Sequence, residues 1–175
     1  MTATMIPADT ASVERDFRQA MRRLAATVTV VSIAADGRRH AMTATAVTSV
    51  SLAPPALLVC VNQAAAMHDL MRDGPAFCVN LLFGDHQAVA AACAGQVPGG
   101  DRFAGAAWEE RHGLPVLRDA QASLFCRRTA AFPYGSHVVF FGEVFAVAIR
   151  DEVAPLLYQD GRYAIGRPLA ETATA

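Results

Sequence analysis

Apolar residues Val13, Phe17, Met21 and Leu24 recur at i, i+4, i+8 and i+11 behind Ser12, which predicts an amphipathic helix with Ser12 as its N-cap. Residues 1–11 before it are small and polar and are expected to be disordered. Beyond it the period shortens. TVTVVSI (27–33) and HAMTATAV (40–47) flank a turn-rich segment at 35–39, the pattern of a β-hairpin with a glycine-containing loop. ALLVCVN (56–62), after Pro54-Pro55, and AFCVNLL (76–82) read as short buried strands, with a short helix over 66–73 ending at Gly74. An alanine-rich helix is expected over 85–94 and an exposed loop over GQVPGGD (95–101). ASLFCRRTAAF (122–132) and SHVVFFGEVFAVAI (136–149) are long strand patterns joined by the turn Pro133-Tyr134-Gly135.

Strands dominate this order, the helices are few, and no strand-helix-strand alternation repeats, so a small antiparallel barrel, closed or split, is the expected architecture. Residues 12–166 form one domain in this reading, with 167–175 as a C-terminal tail.

Composition narrows the chemistry. All 15 cationic residues are arginine and none is lysine, which excludes a GK[ST] phosphate loop and a Schiff-base lysine. Charged residues make up 18%, below the usual share of about 25%, so a hidden surface and hence a dimer is expected. A net charge of −1, with only isolated Arg-Arg pairs, argues against a nucleic-acid partner. No stretch is long and apolar enough for a membrane span and the first residues lack a leader pattern, so a soluble, cytoplasmic protein is expected. The four cysteines stand singly in apolar segments, and the five histidines lack ligand spacing, so neither disulfides nor a metal site is expected.

Three places could carry chemistry. In Met42–Ser51, threonines at 43 and 45 alternate with alanines at 44 and 46 and are followed by Thr48, Ser49 and Ser51. The segment is either a plain edge strand or a wall without bulky side chains, against which a flat ligand lies while hydroxyls and backbone N–H groups meet an anion. Ser136-His137 opens the last long strand at a turn, where His137 either faces solvent or sits at a ligand-binding rim. Arg102-Phe103 supplies either a phosphate contact and a ring, or a surface arginine beside a core phenylalanine. There is no G-x-G-x-x-G and no G-x-S-x-G.

Six segments, taken in order, resemble the short-chain flavin reductases, the NAD(P)H:flavin oxidoreductase components of two-component flavin-dependent monooxygenases. They are FRQAMRRLAATVTVV (17–31), MTATAVTSVSL followed by PP and LLVCVN (42–62), FCVNLL (77–82), DRF (101–103), GSHVVFFGEV (135–144) and PLLYQDGRY (155–163). The resemblance implies a mainly β fold, an FMN-binding split β-barrel of antiparallel, Greek-key type with a few flanking helices, working as a homodimer. It implies FAD or FMN lying along Thr43, Ala44, Thr45 and Ala46, with Thr48, Ser49 and Ser51 approaching the ribityl-phosphate. Cys60, Val61, Asn62, Gln63 and Ala66 would line the same pocket, and Arg102 and Phe103 would lie beside it. His137, with Ser136, takes the nicotinamide position, and Tyr158, Arg162 and Tyr163 close over that side. Partners implied are NADH, or NADPH in its place, and a separate monooxygenase that receives reduced flavin. NADH is the expected donor, because no arginine cluster accompanies His137.

One departure stands out. Where relatives carry serine or threonine after C-V-N, this chain reads Gln63-Ala64-Ala65-Ala66, which predicts a loosely held phosphate and a diffusible flavin. A non-catalytic flavin- or haem-binding barrel is the alternative, and a pyridoxamine-phosphate oxidase a weaker one.

Overall fold

The computed structural model describes residues 9–96 and 101–169. Along the chain these form α1 (Thr10–Met21), β1 (Ala26–Thr27), β2 (Thr29–Ala35), β3 (Arg38–Ala44), β4 (Val47–Leu52), β5 (Pro55–Asn62), α2 (Ala66–Asp73) and β6 (Ala76–Leu81). They continue with α3 (Gln87–Cys93), β7 (Trp108–Arg111), β8 (Leu114–Leu117), β9 (Ala122–Tyr134), β10 (His137–Ile149), β11 (Leu156–Gln159) and β12 (Arg162–Ile165).

Helix α1 starts earlier than its apolar spacing predicts, because the Asp9 carboxylate accepts from the Ala11 N–H (3.3 Å) and caps the first turn in place of Ser12. Residues 9–11, expected to be disordered, are therefore the cap and the first helical residues. The rest of that expectation, residues 1–8, lies outside the described residues, as do 97–100 of the expected loop and 170–175 of the tail.

The strand expected over 40–47 is two strands. β3 ends at Ala44 and pairs with β2, while β4 begins at Val47 and pairs with β5. Seven strands form one antiparallel sheet in the order β3-β2-β6-β9-β10-β5-β4, so the link Thr45-Ala46 joins its two outermost strands. Three Cα steps span at most about 11 Å. The sheet must therefore curl until its edges nearly meet, and the result is the split barrel. The hairpin β7–β8 was not expected. Its charged first strand and Pro115 hide the alternation, although His112-Gly113 (φ 54° and 73°) is a turn pair of the type that favours hairpins.

Helix α2 plugs one end of the barrel. Its Met67, Leu70 and Met71 join Val31, Ile33, Val59, Val61, Phe77 and Phe140 in one buried cluster, each such side chain contributing about 1.5–3 kcal/mol. A second cluster lies outside the wall, where α3, Leu117 and Leu156 cover Val28 and Val30. β2 is thus buried on both faces from Thr29 to Ile33.

Asn80, fully buried on β6, ties this covering to the wall. Its amide donates to the Val30 carbonyl (3.0 Å) and Ser32 Oγ (3.1 Å), and its Oδ1 accepts from the Leu117 N–H and Ser123 Oγ, both at 3.0 Å. Ser32 Oγ donates in turn to the Pro115 carbonyl.

Candidate functional site

The corner Thr45-Ala46, which lets the sheet change edges, also separates two cavities. A groove of about 790 Å³ opens at the end of the barrel opposite α2, with Leu57, Val79, Leu124 and Val144 as an apolar floor. Thr45, Ala46, Thr48, Ser49, Ser51 and Cys60 line it, so six of the expected residues converge there. Among the described residues, the Thr45, Thr48 and Ser49 hydroxyls make no hydrogen bond, whereas Ser51 Oγ accepts from the Ala53 N–H (3.1 Å). An apolar floor under small side chains with free hydroxyls suits a flat heteroaromatic ring carrying a polar tail.

A second cavity, of about 220 Å³, shares Thr45 and is walled by Thr43, Ala44, Tyr158 and Tyr163. Tyr158 and Tyr163 face each other across β11–β12 with ring centroids 5.3 Å apart, edge to face. Burial, with Tyr158 adding to it, pushes the Tyr163 hydroxyl above its ordinary pKa and keeps it a neutral hydrogen-bonding group. Thr43 Oγ1 donates to the Ala90 carbonyl (2.6 Å), so it ties β3 to α3. Arg162 stands opposite Gln159 on an exposed position of the hairpin.

The third neighbourhood is the rim where β5 meets β10. His137 pairs with Asn62 on one side and Tyr134 on the other. The Gln63 N–H donates to the Ser136 carbonyl (3.0 Å) and its side-chain amide to the Gly135 carbonyl (3.1 Å). Ser136 Oγ lies 2.9 Å from His137 Nδ1, which orients an otherwise exposed ring. Asn62 and Cys60 are two residues apart on the same face of β5, about 7 Å along the strand. α2 starts here as well. Ala65 at its N-cap offers no side-chain acceptor and Ala66 is exposed; the His68 N–H donates to the Ala65 carbonyl (2.9 Å), and among the described residues the Ala66 and Met67 N–H groups have no acceptor.

Three expected residues are placed elsewhere. The Val61 side chain is fully buried in the barrel cluster, so only its backbone can reach a ligand. The Arg102 guanidinium donates to the Ala41 carbonyl (3.3 Å) and to the Cys93 carbonyl, closing the C-terminal end of α3 onto β3. Phe103 packs edge to face on Trp108, 5.0 Å between centroids, with the Arg39 guanidinium 4.3 Å from its ring centre. Leu24, Ala25, Thr27 and Thr29 also line the groove. None of these was expected as a site residue: Leu24 reads as the last member of the helical stripe, and Thr27 and Thr29 as part of the strand pattern 27–33.

Among the described residues no group of side chains is placed to hold a metal, and no helix is long and apolar enough to cross a membrane. The Flavin reductase like domain family matches residues 21–167. A reductase component of an FADH(2)-dependent resorcinol hydroxylase from Rhizobium sp. (strain MTP-10005) is 43% identical over 159 residues, 89% of each chain. An FMN reductase (NADH) RutF from Methylorubrum populi is 42% identical, over 93% of this chain and 79% of the relative. The solved structure of flavin reductase PheA2 superposes with a TM-score of 0.82 at 34% identity, over 89% of this chain and 99% of that one.

Proposed function

The chain belongs to the flavin reductase family, and on that premise we propose that it reduces free flavin with NADH and passes the reduced flavin to a separate oxygenase. The observation that carries the reading is the groove at the Thr45-Ala46 corner, walled by small and hydroxyl side chains, with Cys60 on its wall two residues along β5 from Asn62, the strand partner of His137. Bound together, nicotinamide and flavin would supply the chemistry themselves, a hydride transfer that asks the protein for binding and orientation rather than for an acid, base or nucleophile.

The chain's own residues hold, orient and shield. The apolar floor and the alanines of the corner exclude water from one ring face, while the free hydroxyls of Thr45, Thr48 and Ser49 offer hydrogen bonds along its polar edge. The uncapped first turn of α2, beside Asn62 and Gln63, is the place for the flavin phosphate, through backbone N–H groups that add no charge. Arg102 is committed to backbone carbonyls, and that is a physical reason for weak phosphate retention. His137, oriented by Ser136, and the tyrosine pair form the nicotinamide side.

The protein acts as a homodimer in this reading. Val50, Leu52, Val147 and Ile149 are half or more exposed around the groove, an apolar surface a second copy would cover. The decisive assay is NADH oxidation followed by absorbance, with and without added FMN or FAD; oxidation that does not depend on added flavin would defeat the free-flavin reading. His137→Ala is expected to raise KM for NADH roughly tenfold, about the worth of one hydrogen bond to the bound nicotinamide, with KM for flavin unchanged. Equal changes in both would remove His137 from the nicotinamide side.

A further inference from the structure

We infer that Arg22 is a positioning residue for the nicotinamide side of the site, acting through the β11–β12 hairpin; this rests on the reductase reading above. Arg22 follows α1 directly, 138 residues from the turn it grips. Its Nε donates to Asp160 Oδ1 (3.2 Å) and its Nη2 to the Asp160 carbonyl (3.0 Å). The Asp160 N–H returns a bond to the Arg22 carbonyl (2.7 Å), and the Gln159 side-chain amide donates to the Arg23 carbonyl (3.0 Å). Three hydrogen bonds thus converge on the turn residue Asp160, and a fourth holds Gln159 beside it.

The turn is built for this grip. Asp160 and Gly161 have φ of 49° and 79°, the left-handed pair a tight hairpin needs. A Cβ on Gly161 would lie 2.7 Å from Arg22 Nη2, so glycine is required there both for its conformation and for the guanidinium's approach.

What the turn carries gives the clamp its consequence. Tyr158 and Tyr163 sit two residues either side of Asp160-Gly161 and form one wall of the smaller cavity, facing Thr43–Thr45. Apart from its hairpin partner β12, among the described residues β11 is tied near the turn by the two-residue strand β1, where Ala26 pairs with Tyr158. Releasing Arg22 frees that wall to swing, while the groove keeps its floor and its hydroxyls.

Arg22→Ala should fold, because the ion pair is more than half exposed on both partners and such pairs contribute little to global stability. In the flavin-dependent NADH oxidation assay the variant should show a KM for NADH raised about fivefold, with KM for flavin and kcat within about twofold of wild type. Asp160→Asn keeps the turn conformation and removes the charge; combining it with Arg22→Ala should add nothing further. Arg22→Lys, which retains the ion pair, should restore part of the affinity. Without any ligand, hydrogen exchange of the segment 156–165 should quicken in Arg22→Ala while that of 122–149 does not. An unchanged KM for NADH in the presence of a normal wild type, or additive effects of the two substitutions, would overturn the clamp alone. A wild type that cannot oxidise NADH with flavin would instead overturn the reductase reading.

Discussion

Two sides of the same barrel are finished differently. Over β2, β6 and β9 the chain covers its own wall, with α3 and the β7–β8 hairpin laid on it and Asn80 satisfying both layers. At the mouth beside β4 and β5, Leu52 is 90% and Val147 51% exposed, and the Thr45, Thr48 and Ser49 hydroxyls have no hydrogen-bond partner among the described residues. A folded chain hides apolar surface and pairs buried polar groups where it can. The contrast assigns stability to the covered side and, on the proposed reading, leaves the open side for ligands and a second copy.

The sharpest way to break this contrast is at Asn80. Asn80→Ala leaves the Leu117 N–H and the Ser123 and Ser32 hydroxyls short of a partner inside the wall, which costs about 3 kcal/mol or more and lowers Tm by roughly 10 °C. Thermal unfolding checks this. If the covered side holds the stability, flavin KM should be near normal at a temperature where the variant stays folded; a selective loss of flavin binding with an unchanged Tm would reverse the assignment.

The open side should respond the other way. Leu52→Glu changes a side chain that touches little within one chain, so circular dichroism and the monomer's unfolding should stay within about 0.5 kcal/mol of wild type. Sedimentation should nevertheless show dimer dissociation strengthened at least about tenfold, with KM for flavin raised alongside. A variant as dimeric as wild type would take Leu52 out of the interface.

How much of this was readable beforehand divides along the same line. β5 and β6 were legible as short apolar runs, and β9 and β10 as long strand patterns on either side of a Pro-Tyr-Gly turn signal. The break at Thr45-Ala46 was not, since Thr-Ala alternation runs straight through it. Tertiary bonds make the corner: Thr29 Oγ1 holds the Ala44 carbonyl to β2, and the Cys60 N–H draws the Ala46 carbonyl to β5. Arg102 beside a glycine-rich loop reads as a phosphate ligand because the carbonyls that engage it, at Ala41 and Cys93, are remote in sequence or hidden at a helix end. The small-residue segment 42–51 stood out by its composition and His137 by its place at a turn; the Arg22 clamp had no local sequence signal, since its partner is 138 residues away.

The smallest effect gives the most direct reading of the contrast, because cysteines report on both sides at once. Cys78, Cys93 and Cys126 are buried, and burial pushes all three thiols up, Cys93 to about 11 and Cys126 to about 12. The thiolate is the reactive form, so at pH 8 a thiol titrating near 11 is ionised only about one part in a thousand of the time, and burial blocks the reagent as well. Cys60 alone is partly exposed, on the groove wall. Native alkylation followed by mass spectrometry should therefore modify Cys60 first and leave the other three until unfolding. Added FMN should slow the Cys60 reaction severalfold in proportion to occupancy, and Cys60→Ser should abolish the fast phase while leaving Tm nearly unchanged. Protection of the buried thiols instead, or equal labelling of all four in the folded protein, would mean that the covered side opens as readily as the groove.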